Sequence, residues 1–262
     1  MSTAIALHQV NKVYANGTVA LRGIDLTIRK GEFVSLVGPS GCGKSTVLKL
    51  TAGLSTPTQG YIESPAVVGD RDLAFVFQDA ALMPWATVLD NVHLPLKLKG
   101  QSLRASRSRI QAALNLVALQ GFEHSYPRQL SGGMKMRVSI ARALVTNPHI
   151  LLMDEPFGAL DEMSRSRLNG ELLHLWEQYH WTVVFVTHNI YEAVYLSNRV
   201  VVMAAQPGRI VAEIPIEVPY PRDEEFRTSP QFNQYCRDIA HCLAGEAMPT
   251  PPLSTTPSTA TP

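Results

Sequence analysis

The chain has 262 residues, 45% of them hydrophobic, enough for one large domain or two closely joined lobes around a substantial core. Its 23 basic and 22 acidic side chains leave a formal charge of +1, so the global basic field that nucleic-acid binding uses is missing and neither DNA nor RNA is an expected partner. No apolar run approaches the roughly 20 residues that span a bilayer, MSTAIALHQV lacks the layout of a secretory signal, and three cysteines make no even disulfide framework. Work at a membrane would therefore borrow another chain's helices, and the cysteines point to a reducing cytosol.

In chain order, AIALHQVNKVY (4–14) and TVALRGIDLTI (18–28) place alternating β-branched residues on either side of the turn ANG, the pattern of a hairpin. FVSLV (33–37) predicts a short buried strand running into the glycine loop GPSGCGKS. Over 43–54 the spacing of Val47, Leu48 and Leu50 predicts a helix, with Gly53 suited to its C-terminal end. YIESPAVV and LAFVF predict further strands, after which residues 79–147 turn helical and predict an inserted lobe, clearest in ASRSRIQAALNLVALQ. Beyond Pro148 the runs ILLM, TVVFVT and RVVVMA alternate with an amphipathic segment at 161–179, as a parallel sheet requires, so the expected fold class is α/β. Cys236 and Cys242 are six apart and would fall on different sides of a helix, which disfavours a shared metal. Residues 246–262, rich in Pro, Ser and Thr, cannot bury enough surface to order themselves and read as a dispensable, disordered tail.

The chemistry begins with the match of Gly38, Gly43, Lys44 and Ser45 to G-x-x-x-x-G-K-[ST]. Glycines let backbone N–H groups crowd a phosphate, and the helix that follows aims its positive end at it. Pro39, Ser40, Gly41 and Cys42 complete the loop; Lys44 offers a cation to the β and γ phosphates, Ser45 a hydroxyl to Mg²⁺, and Thr46 a further phosphate contact. Taken alone, the loop is also compatible with a chance glycine turn. Asp154 and Glu155 close an apolar strand at the end where doubly wound sheets present ligand groups, suiting Asp154 to Mg²⁺ through water and Glu155 to polarising the attacking water. The competing reading of that pair is a solvated turn. Thr187 and His188 end the next strand at the same sheet edge, and Gln78, after LAFVF, has an amide able to reach Mg²⁺ or the water. In LSGGM, Ser131 reads as an N-cap and two glycines expose N–H groups ahead of the helix MKMRVSIARAL, a second anion site. If the two anion sites lie on different lobes, one chain cannot readily close both on one nucleotide, so two chains facing head to tail around ATP are expected.

Together these motifs resemble the ABC transporter ATPase family over about residues 4–210. The resemblance implies a P-loop NTPase cassette at 1–245, with an antiparallel β subdomain and a helical subdomain at about 79–147. It implies a Walker A loop at 38–46, a Q-loop at Gln78, a signature at Leu130, Ser131, Gly132, Gly133 and Met134 facing the partner subunit's ATP, and a Walker B strand ending in Asp154 with Glu155 catalytic. It also implies a D-loop at Ala159, Leu160 and Asp161, a switch histidine at His188, and Tyr14 stacked on adenine, for which a strand tyrosine packed on the sheet is the plainer reading. The signature departs from the family in carrying Met134 where glutamine is usual.

QDAALMPWATVLDNV and MDEPFGALDEMSR are similar to the importer branch for nitrate, sulfonate, taurine, bicarbonate and thiamine-precursor pyrimidines. The resemblance then implies a homodimer using ATP and Mg²⁺, peripheral on the cytoplasmic side of the inner membrane. It would dock a separate permease through residues 79–95, where Leu82, Met83 and Trp85 are apolar, and would serve a periplasmic solute-binding protein indirectly. The alternative for Trp85 is the core of the helical lobe, and Arg104, Arg107 and Arg109 read as a solvated helix face. Two rival classes remain: a soluble ABC ATPase of translation or DNA repair, which usually carries two cassettes or a long coiled-coil insertion, and a P-loop kinase or GTPase, which has no need of LSGGM.

Overall fold

The computed structural model describes residues 2–64 and 73–245. The first alternating segments form β1 (Thr3–Val13) and β2 (Val19–Arg29), paired antiparallel across a turn in which Gly17 takes a left-handed φ of 82°. Strand β4 (Gln59–Glu63) adds to the other side of β1, giving a three-stranded sheet ordered β2-β1-β4.

The second sheet holds β3 (Phe33–Val37), β5 (Leu73–Val76), β6 (Ile150–Asp154), β7 (Thr182–Thr187), β8 (Arg199–Ala204) and β9 (Arg209–Pro215), ordered β5-β6-β7-β3-β8-β9. All pairings are parallel except β8 with β9. Its inner strands are buried on both faces, which is why they read as unbroken apolar runs. The pleat sends alternate side chains to different cores: Phe33, Leu151, Met153, Val183, Phe185, Val200 and Val202 join one, while Val34, Leu36, Leu152, Val184, Val186, Val201 and Met203 join the other. The second core is closed by the three-stranded sheet and α1 (Lys44–Thr51), through Val47, Leu48 and Leu50.

The first core is closed by α5 (Glu162–Tyr179), α6 (Ile190–Leu196), α7 (Glu224–Thr228) and α8 (Pro230–Ala244), and by a lobe of α2 (Val88–Leu98), α3 (Leu103–Leu116) and α4 (Gly132–Leu144). Helix within the lobe begins at Val88, capped by Thr87, rather than near 79: residues 79–87 form a loop containing Pro84. Arg109 is not merely solvated either, since it donates to the Val145 carbonyl at the C-terminal end of α4 at 2.8 Å. The part of YIESPAVV past Ser64 and the tail at 246–262 lie outside the described residues. Because β3 has β7 on one side and β8 on the other, the chain reverses its order there and opens a crevice beyond the C-terminal end of β3, where the glycine loop begins.

Candidate functional site

The glycine loop is braced from three distant parts of the chain. A Cβ on Gly38 would sit 2.5 Å from the Met203 carbonyl oxygen and 2.6 Å from Cys42 Sγ, and one on Gly43, where φ is +94°, would sit 2.5 Å from Leu21 Cδ2. Gly208, between β8 and β9, approaches so closely that its Cβ would lie 2.2 Å from the Cys42 carbonyl oxygen. These glycines are required by the fold itself. Pro39, Ser40 and Gly41 are exposed, whereas Cys42 turns inward and is fully buried, so only its backbone faces the crevice. Burial pushes the Cys42 thiol up, against the pull of Lys44.

Helix α1 starts at Lys44, whose buried ammonium donates to the carbonyls of Gly38 at 2.7 Å and Pro39 at 3.1 Å and lies 3.9 Å from Glu155 Oε1. The hydroxyl of Ser45 donates to Asp154 Oδ1 at 2.9 Å. Asp154 ends β6 and is buried; burial holds its carboxyl above the usual range, the Ser45 hydrogen bond opposes this, and the neighbouring Glu155 charge adds to it. Thr46 Oγ1 lies 3.1 Å from the hydroxyl of Tyr14, whose half-exposed ring carries the Lys12 ammonium 5.3 Å from its centroid. Tyr14 therefore stands beside the start of α1, just past the end of β1, and is not fully buried.

Glu155 takes the left-handed conformation, φ 45°, while its N–H donates to the Val186 carbonyl at 2.9 Å. Such backbone is unfavourable outside glycine and aims the side chain away from the strand direction. Its Oε2 meets His188 Nδ1 at 3.0 Å, so Lys44, Glu155 and His188 form one line, with Ser45 and Asp154 beside it. Gln78 is exposed two residues beyond β5 and makes no hydrogen bond to Ser45 or Asp154.

Ser131 caps α4, accepting from the Met134 N–H at 3.3 Å. Neither Gly132 nor Gly133 has positive φ; a Cβ on Gly132 would meet only Leu160 Cδ2, at 3.8 Å, and one on Gly133 would meet nothing within 4 Å. In contrast to the loop glycines, no close contact among the described residues demands glycine here. Met134 is partly buried against the larger core, which accounts for an apolar side chain at that place. Ala159 is exposed, Leu160 packs on the same core, and Asp161 caps α5 by accepting from the Ser164 N–H at 3.0 Å.

Trp85 is 76% exposed, which overturns the core reading, and it lines a groove of about 570 Å³ with Met83, Leu94 and Leu103. Leu82 instead packs on the core. Two residues that the sequence reading passed over hold this region. Asn91, fully buried, accepts from the Met83 N–H at 2.8 Å and donates to the Met83, Ala86 and Thr87 carbonyls. Arg142 on α4 donates to the Ala80 and Ala81 carbonyls, each at 2.8 Å. Their signal was a polar group at a core position of an apolar helix. A cleft of about 1000 Å³ is lined by Glu32, Trp176, Asn198 and Arg199 at the opposite end of the parallel strands, away from all of these groups.

Residues 21–158 match the family described as ABC transporter. The chain is 45% identical over 229 residues to the aliphatic sulfonates import ATP-binding protein SsuB of Bacillus cereus, covering 84% of this chain and 89% of that one. It is 44% identical over 239 residues to the protein of the same name from Bacillus thuringiensis, covering 88% and 92%. Among solved structures it is similar to cbiO1 from Clostridium perfringens, part of the ABC transporter complex cbiONQ, with TM-score 0.75, 28% identity and coverage of 83% and 90%. It is also similar to a bacterial ABC transporter cassette solved as a dimer, with TM-score 0.73, 36% identity and coverage of 82% and 100%, which was also solved after hydrolysis with ADP and Pi. The chain belongs to the ABC transporter family, as its nucleotide-binding, ATP-hydrolysing subunit.

Proposed function

We propose that two copies of this chain meet head to tail, each glycine loop holding an ATP that the partner's Ser131, Gly132 and Gly133 close over. The observation that carries this reading is the pair of glycines at 132 and 133 at the N-terminal end of α4, where an added Cβ would meet only Leu160 Cδ2 among the described residues, so that no close contact within them calls for glycine. The dimeric cassette similar to this chain supports it.

In this reading Lys44 binds the β and γ phosphates, Thr46 adds a contact, and Tyr14 stacks on adenine. Ser45 and Asp154 are two hard oxygen donors converged at 2.9 Å, which fits Mg²⁺, with Asp154 reaching it through water and Gln78 approaching from the loop after β5. When bound, the ion neutralises charge between the phosphates. Glu155 accepts a hydrogen bond from the attacking water and takes its proton, while His188 holds the Glu155 carboxylate from its Nδ1 side. Ala159, Leu160 and Asp161 face the partner across the dimer.

The described residues contain no helix long and apolar enough to cross a membrane. Work is delivered through the exposed Trp85 groove to a permease, with the cassette peripheral on the cytoplasmic face of the membrane and a periplasmic binding protein supplying the solute. The sulfonate importer subunits among the relatives favour a small sulfonate or similar oxyanion as that solute. Purification from a detergent extract tests the assembly: co-recovery of a polytopic membrane protein is expected, and recovery of ribosomes or repair proteins in its place would sink the reading. Binding of sulfonates to the solute-binding protein encoded beside the gene, read as thermal stabilisation, tests the cargo.

A further inference from the structure

Behind the reaction line lies a second polar chain that the proposed hydrolysis does not use. Glu192 on α6 is 6% exposed, and its Oε2 accepts from the Thr187 hydroxyl at 2.5 Å. The Thr187 hydroxyl in turn accepts from the Asn189 N–H at 2.9 Å, and Asn189 Oδ1 accepts from the N–H groups of Tyr191 and Glu192. Both neighbours of His188 are thus fixed to Glu192. The other carboxylate oxygen accepts from Asn169 Nδ2 at 3.4 Å and lies 3.8 Å from Arg165 Nε. Arg165 on α5 donates to the Leu160 carbonyl at 2.8 Å and the Phe157 carbonyl at 3.4 Å, and pairs with Glu162. Three side chains, Arg165, Glu192 and Thr187, therefore join the backbone at Leu160 to the backbone at His188.

A carboxylate this deep is a poor choice for stability alone, because desolvating it offsets much of what a single guanidinium at 3.8 Å returns. Burial does push the Glu192 carboxyl up, opposed by Thr187, Asn169 and Arg165. A cavity of about 170 Å³ lined by Asn169, Asn189, Glu192 and Arg227 borders the pair, and Asn169 Oδ1, in a side chain 4% exposed, has no hydrogen-bond partner among the described residues. These side chains have room for a second arrangement, as a switching element needs. The Leu160 end lies at the Gly132 edge, where the proposed partner closes, with Leu160 Cδ2 3.8 Å from the place a Gly132 Cβ would take.

We propose that Arg165 and Glu192 are positioning residues through which the segment Ala159, Leu160 and Asp161, when engaged by the partner subunit, sets His188 against Glu155. Closure of the dimer is thereby reported to the hydrolytic group of the same chain. The inference rests on the assignment of Glu155 and His188 given above.

A cycle of single and double variants tests it, with ATP turnover measured over a range of ATP concentrations and unfolding temperature followed in parallel. Glu192→Gln keeps an oxygen to accept from Thr187 and, once the Asn169 amide turns its Oδ1 round, an NH2 to donate to it, but drops the ion pair; kcat should fall about tenfold with KM for ATP and unfolding temperature little changed, the signature of a displaced catalytic group. In a His188→Ala background the same substitution should change the residual rate by less than about twofold, since the link acts through that histidine. Multiplying losses, an unchanged kcat in the single variant, or a fall in kcat accompanied by a raised KM and a lowered unfolding temperature would overturn the coupling. Should Glu192→Gln not fold, Arg165→Gln breaks the same pair from its more exposed side and must give the same non-additivity. Full activity in His188→Ala alone would overturn the site assignment itself, and the coupling with it.

Discussion

Glu155 shares its carboxylate between two groups of opposite origin in the chain: Oε1 lies 3.9 Å from the Lys44 ammonium at the start of α1, and Oε2 lies 3.0 Å from His188 Nδ1 after β7. An amide in its place keeps the shape but cannot take a proton from water. Glu155→Gln should retain ATP binding and lose at least about 10²-fold in turnover. Lys44→Ala should instead lose binding, since Lys44 is the loop's one cation toward the β and γ phosphates. Nucleotide binding and phosphate release measured on both variants separate the two roles.

The two kinds of glycine should respond oppositely to substitution. Gly133→Asp meets open space among the described residues, so unfolding temperature should stay within a few degrees while, in the proposed dimer, turnover falls to background because the new carboxylate would oppose the partner's phosphates. Gly43→Ala combines positive φ with a Cβ 2.5 Å from Leu21 and should lower stability by about 1–3 kcal/mol. Denaturation curves beside ATPase rates check both.

Trp85→Ala removes an exposed ring that no core contact requires. Isolated-subunit ATP turnover should be unaffected, whereas solute uptake in cells and stimulation of turnover by the permease should drop by about tenfold or more, as loss of a hot-spot aromatic does. Asn91→Ala should reproduce the uptake defect with an intact Trp85, since it releases the backbone of Met83, Ala86 and Thr87, and should also cost about 2–3 kcal/mol of stability.

Arg222 is the main clamp of the C-terminal segment. Its buried guanidinium donates to the carbonyls of Val194, Tyr195 and Ser197 at the end of α6 and to Ile216 and Val218, and it lies 4.2 Å from the Tyr220 ring centroid. Arg222→Ala leaves those carbonyls without a partner and should destabilise the protein by at least about 3 kcal/mol in urea unfolding, with ATP affinity little changed.

Burial pushes the Cys236 thiol up to about 11 from 9.0. The native protein then holds a proton that the unfolded chain releases between about pH 9 and 11, so the thiol's burial lowers stability as pH rises through that window and has no such effect below it. Folded protein should resist alkylation at Cys236 at pH 8, where about one thiol in 10³ is ionised, and Cys236→Ser should lessen the alkaline loss of stability. Iodoacetamide labelling followed by peptide mapping gives the first quantity, and unfolding at pH 8 and pH 10.5 gives the second.

Much of the candidate site was legible because its groups sit at fixed offsets from strand ends. Asp154, Glu155 and His188 follow apolar runs that cannot be mistaken, and the glycine loop follows β3 directly. The groups that hold those residues in place were not legible: Arg142 reaches the Ala81 carbonyl across 61 residues and Asn169 reaches Glu192 across 23, while the bonds of Arg165 to Leu160, Thr187 to Glu192 and Asn91 to Thr87 are local but depend on side-chain orientations that no residue pattern specifies. Trp85 shows a different limit: an apolar residue beside apolar neighbours has the same signature in a core as on an exposed surface, and only the fold, in which Asn91 fastens the backbone of Met83, Ala86 and Thr87 to α2 and leaves the Trp85 ring exposed, decides between them. Residues 79–87 were absorbed into the helical lobe for the same reason, as the side-chain spacing does not reveal that Asn91 satisfies their backbone.

The bracing of the glycine loop by Leu21, Met203 and Gly208 bears on how nucleotide binds. A loop of five small or flexible residues, free in solution, would have to be frozen each time a triphosphate arrived. Here the hairpin, the end of β8 and the turn before β9 already mould its backbone, so that ordering is completed during folding and little of the binding energy is diverted to it. The mould also makes the loop a poor place to store a conformational signal. In a cassette built this way, conformational change is left to parts of the chain other than the glycine loop, and in the proposed dimer the triphosphate would be the fixed point about which two subunits close.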